Sequence, residues 1–96
     1  GYRIHRLDII EEDLPDAIGA VAVANIDVDL YEAVLAALRK LAPRVVPGGV
    51  LVVEDQGHTP ALAGAYLALV EFLRSPAGPA FVPIHMASGQ MILIRR

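Results

Sequence analysis

Residues 21–55, VAVANIDVDLYEAVLAALRKLAPRVVPGGVLVVED, leave few folds open. Two apolar runs flank a segment whose apolar residues recur at helical spacing, the pattern of a β-strand, an α-helix and a second β-strand. In such a βαβ unit the strands are parallel, so their C-terminal ends share one edge of the sheet. Acidic residues leave both runs: Asp27 and Asp29 after the first, Glu54 and Asp55 after the second. Carboxylates far apart in sequence are thereby gathered at the edge where open α/β sheets bind ligands.

Composition narrows the rest. The chain has 96 residues, enough for one small domain, and 55% of them are hydrophobic but only 5% aromatic. The core must therefore be built from Val, Leu, Ile and Ala. So much apolar material in so short a chain implies a piece of a larger domain, or a subunit that hides surface against a partner such as a second copy. A net charge of −3 argues against a general role on nucleic acid or membrane surfaces. With no cysteine, disulfides, thiolate metal sites and a Cys nucleophile are excluded, and a cytoplasmic location is expected. No apolar run reaches the ~18 residues of a membrane span, and GYRIHRLDII lacks the apolar core of a signal peptide.

Taken in order, Tyr2–Leu7 suggests a short strand, and Asp8–Asp16 an acidic connection with a helical turn. Ala20–Val28, apolar except for Asn25 and Asp27, reads as a strand buried on both faces. Asp29 and Glu32 have the spacing of an N-cap and its capping-box partner. The helix that follows would bury Leu30, Val34, Leu35, Leu38 and Leu41, with Glu32, Arg39 and Lys40 facing water. Pro43 tightens or ends it, Pro47-Gly48-Gly49 turns the chain, and Val50–Val53 forms the second strand. Pro60 opens a helix to about Arg74, with Tyr66, Leu69, Val70 and Leu73 as its packing stripe. Phe81–Met86 and Met91–Ile94 then make a hairpin turning at Ser88-Gly89.

Buried unpaired carboxylates cost several kcal/mol, so acids at strand ends must meet water, a cation or donors. Converging carboxylates without cysteine suit a hard ion such as Mg²⁺, which lowers the pKa of a bound hydroxyl while a neighbouring carboxylate takes the proton. A plainer reading competes and from spacing alone weighs somewhat heavier: Asp29 and Glu32 cap a helix, and Glu54 and Asp55 open a solvated loop.

The run IDVDLYEAVLAAL followed by VPGGVLVVED resembles the second half of a class I S-adenosylmethionine-dependent methyltransferase, and most closely the macrocin O-methyltransferase group, which acts on sugars in antibiotic biosynthesis. That group carries L-D-x-D-x-Y-E, a helix, then G-G-x-x-x-x-D-D, and the separation from the first Asp to the later acidic pair is kept here. The resemblance implies a Rossmann-like sheet of mainly parallel strands closed by an antiparallel hairpin, of which FVPIHMASGQMILIRR would be the last part. It implies Asp27, Glu54 and Asp55 as Mg²⁺ ligands, and Asp29 or Asp27 as general base for the acceptor hydroxyl of a sugar or similar small molecule. Glu54 stands where Asp is commoner, and Gln56-Gly57-His58 departs from the usual aromatic residue.

One part of the pattern is missing. A nucleotide-type cofactor needs a glycine-rich turn after a first strand and an acid after a second, and the only double glycine, Gly48-Gly49, precedes a strand. The chain is therefore expected to be the back half of one catalytic domain, pairing with an N-terminal half that carries most of the S-adenosylmethionine site. The alternative is a non-catalytic α/β fragment or subunit assembling through sheet edges. Half of a dehydrogenase is a weaker reading, because hydride transfer needs no carboxylate-bound ion.

His58, three residues past Asp55, could bind the acceptor or shuttle a proton, although a structural role in its loop weighs more. Tyr31 lines an acceptor pocket or packs in the first helical turn. Asn25 is expected inside the strand, satisfying backbone. His5 and His85 read as structural or surface residues, and Arg95 and Arg96 as a solvated terminus.

Overall fold

The structure is a computed structural model, and it describes residues 6–28, 30–54 and 63–96. Four strands and two helices follow in the order β1 (Val21–Ile26), α1 (Tyr31–Leu41), β2 (Val45–Val53), α2 (Ala63–Arg74), β3 (Phe81–His85) and β4 (Met91–Arg95). The sheet order is β1-β2-β4-β3. β1 and β2 are parallel, as the crossover through α1 requires, while β4 runs antiparallel to both β2 and β3. The described sheet is thus mixed, which corrects the expectation of mainly parallel strands. The β3–β4 hairpin inserts its second strand beside β2, so antiparallel pairings outnumber the single parallel one. Of the expected first strand, residues 2–5 lie outside the described residues, and Arg6 and Leu7 are not in a strand.

One core lies beneath the two helices. Val34, Leu35 and Leu38 of α1, Ala65, Ala68, Leu69 and Phe72 of α2, and Leu51, Val53, Phe81 and Leu93 of the sheet form a single buried cluster. Phe72 and Phe81 meet edge to face, with ring centroids 5.7 Å apart. The stripe of α2 is rotated from the expected one: Tyr66 is 53% exposed, and small Ala65 and Ala68 face inward, where they let the helices approach. On α1 the N-cap is Leu30, in extended conformation and without a side-chain cap. Asp29 lies outside the described residues. Leu30 is itself exposed rather than buried.

Strand burial is one-sided. Leu51, Val53 and Leu93 are buried, whereas Val50, Val52, Ile92 and Ile94 on alternate positions are only half-buried. Val23, the register partner of Val50, is 69% exposed. Among the described residues the helices cover one face only, so the expectation of strands buried on both faces is not met there. Asn25 is exposed opposite Val52 rather than enclosed.

β2 begins at Val45, earlier than the sequence suggested, with Pro47-Gly48-Gly49 inside it. Val21 pairs with Val45 and Val23 with Val50, so the proline–glycine segment bulges out of the ladder. Gly48 takes φ +82°, and a Cβ on Gly49 would lie 2.7 Å from Val45 Cγ1 and 2.8 Å from the Val46 carbonyl oxygen. α1 stops at Leu41 and tightens into a 3₁₀ turn at Ala42–Arg44 containing Pro43.

The acidic connection is tied down by two cations. Lys40 Nζ donates to the carbonyls of Ile9 (2.6 Å), Ile10 (3.2 Å) and Glu12 (2.6 Å), and Arg44 to those of Pro15 (2.7 Å) and Leu14 (2.9 Å). Lys40 is thus half-buried and bonded, where amphipathic spacing put it in water. The expected helical turn forms at Asp8–Glu12, whose Asp8 carboxylate accepts from the amides of Ile10 and Glu11. Among the described residues no helix is long and apolar enough to cross a membrane.

Candidate functional site at the ends of the parallel strands

The βαβ unit brings two of the sequence-predicted acids side by side. Ile26 pairs with Val53 at the end of the parallel ladder, and the Glu54 amide continues it by donating to the Ile26 carbonyl at 3.0 Å. Asp27 and Glu54 are therefore the residues that follow the last paired positions of two neighbouring strands. Asp27 is exposed and Glu54 half-buried. The other members of the predicted set, Asp29, Asp55 and His58, lie outside the described residues, as does His5. His85 is exposed at the end of β3.

A residue missed by sequence reasoning completes this edge. Gln90 Nε2 donates to Glu54 Oε2 at 2.7 Å. Gln90 immediately precedes Met91, whose register partner is Val53, so the β2–β4 pairing brings position 90 to position 54. The hairpin was legible in the sequence; the strand it would pair with was not.

Tyr31 takes a structural place, its hydroxyl donating to Glu71 on α2. Arg39 also approaches Glu71, at 3.7 Å, with both side chains about half exposed. Arg39, Leu67, Glu71 and Arg74 line a shallow groove on the helix layer, to which neither Asp27 nor Glu54 contributes. The C-terminus is held rather than simply solvated: Arg96 Nε donates to the Pro79 carbonyl and its amide to that of Ala80.

The pairing of an Asp with a Glu at one sheet edge is a donor set of hard oxygens, suited to Mg²⁺, which commonly binds through one or two carboxylates with water and substrate. Among the described residues no group of three or more His, Cys, Asp or Glu gathers around one point. The double glycine is unsuited to cradling a cofactor, since Gly49 is packed against Val45 and the backbone of β1.

Residues 8–73 match the family model described as macrocin-O-methyltransferase (TylF). The chain belongs to this family. Among solved structures it is similar to the O-methyltransferase NovP, with 28% identity and a TM-score of 0.66 over 79% of this chain and 30% of NovP. It also has the fold of part of CalS11, a TDP-rhamnose 3'-O-methyltransferase in calicheamicin biosynthesis, with 21% identity and a TM-score of 0.62 over 82% of this chain and 33% of CalS11. The chain thus spans about a third of the length of these solved structures. No curated protein matches it. The resemblance read from IDVDLYE and GGVLVVED is borne out at the level of the family.

Proposed function

We propose that this chain is the metal- and acceptor-binding portion of an O-methyltransferase acting on a hydroxyl of a sugar or similar natural product. The observation that carries this reading is the emergence of Asp27 and Glu54 from adjacent parallel strands in a chain of the macrocin-O-methyltransferase family. Asp27, Glu54 and Asp55 would hold Mg²⁺, which when bound lowers the pKa of the acceptor hydroxyl. Asp29, or Asp27 itself, takes the proton as the acceptor oxygen becomes a methyl ether. His58 is a candidate to hydrogen-bond the acceptor. A donor of the S-adenosylmethionine type supplies the methyl group, and no residue of this chain is assigned to its cradle.

The test is methyl transfer by the intact protein to a panel of nucleotide-linked and glycoside sugars, with Mg²⁺ and with EDTA. Turnover that disappears with EDTA and returns with Mg²⁺ is expected. Turnover indifferent to EDTA would remove the metal from the proposal.

A second reading, a non-catalytic α/β piece that assembles through its sheet, draws on the uncovered face carrying Val23, Ile84, Ile92 and Ile94. Both readings require that face to be covered. They part on activity, since a purely structural piece would leave the intact protein without methyl transfer to any acceptor.

A further inference from the structure

We infer that Gln90 is a positioning residue for the Glu54 carboxylate, presetting it for cation binding. The inference rests on the proposal that Glu54 is a metal ligand.

A glutamate reaches an ion through one more rotatable bond than an aspartate, and ordering it costs rotamer entropy. Glu54 stands where the family pattern carries Asp, so this chain has that extra freedom to restrain. The Gln90 amide restrains it by bonding Oε2 at 2.7 Å. Gln90 is itself fixed. Its carbonyl accepts from the Met86 amide at 2.8 Å, Gly89 N donates back to the Met86 carbonyl at 2.9 Å, and Ser88 Oγ lies 3.4 Å from Gln90 Oε1. An ionised carboxylate only accepts, so the nitrogen of the amide must face it. The neutral amide also suits the task, because Lys or Arg at position 90 would set a positive charge against the incoming ion. Outer partners of metal ligands typically govern affinity 10- to 100-fold.

The experiment measures Mn²⁺ binding to the intact protein by calorimetry for wild type, Asp27→Ala, Gln90→Leu, Glu54→Asp and the Gln90→Leu/Glu54→Asp double variant. Melting in EDTA reports folding, and Gln90→Asn, polar but too short to reach, replaces Gln90→Leu should that variant melt early. Gln90→Leu is expected to weaken Mn²⁺ binding about 10- to 100-fold with metal-free melting nearly unchanged. In the Glu54→Asp background, where the acceptor is withdrawn from Gln90, the same substitution is expected to change affinity less than about twofold. Wild-type affinity in Gln90→Leu, while Asp27→Ala abolishes binding, overturns the role of Gln90 and leaves the metal site standing. An equal loss in both backgrounds also overturns it. No binding by the wild type overturns the metal reading and this inference together.

Discussion

The amide of Glu54 donates to the carbonyl of Ile26 at 3.0 Å, one step beyond the last paired residues of the parallel strands. That bond makes Asp27 and Glu54 neighbours although a complete helix separates them in sequence. It is also the reason an exposed aspartate can be chemically relevant: its neighbour is fixed by a ladder rather than by a mobile loop.

Asp27 is exposed and lies outside the buried cluster, so Asp27→Asn is expected to leave the melting temperature within a degree or two while lowering kcat/KM on the order of 100-fold or more. Steady-state kinetics on the intact protein, with melting followed in parallel, separate the two effects.

Phe72 is fully buried and edge-to-face on Phe81. Phe72→Ala is expected to cost about 3–5 kcal/mol, read from the urea midpoint. A loss below about 1 kcal/mol would mean that α2 does not pack on β3 as described.

Lys40 holds three carbonyls of the acidic connection. Lys40→Met keeps much of the side chain's apolar length and removes the donors, so roughly 1–3 kcal/mol is expected to be lost. Amide exchange should accelerate at residues 8–13 before it does in β2. Arg39→Ala, which breaks only an exposed contact with Glu71, is expected to cost less than about 1 kcal/mol.

A Cβ on Gly78 would overlap the Leu73 carbonyl oxygen. Gly78→Ala must therefore displace the backbone where α2 turns into β3, and a loss of about 1–3 kcal/mol is expected in chemical denaturation.

The βαβ unit and the hairpin were legible because both rest on local signals: apolar period, the turn at Ser88-Gly89, and Pro43 after a helical stripe. The family was legible because IDVDLYE and GGVLVVED hold their spacing. What was not legible depends on tertiary choice. Nothing in the sequence says that β4 pairs with β2, and hence that Gln90 meets Glu54. The inward face of α2 was misjudged because Ala65 and Ala68 are weak signals beside Tyr66, and Lys40 was placed in water because its partners are backbone carbonyls some thirty residues away. Two-sided burial of β1 and β2 was inferred from their apolar runs, but the cover for the second face is not among the described residues.

The most direct measurement is a crystal structure of the intact protein soaked in Mn²⁺, with the ion located by its anomalous scattering. The expected result is one ion bonded at about 2.1 Å to carboxylate oxygens of both Asp27 and Glu54. An ion bound elsewhere, or none at saturating Mn²⁺, would contradict the metal-assisted chemistry assigned to this edge.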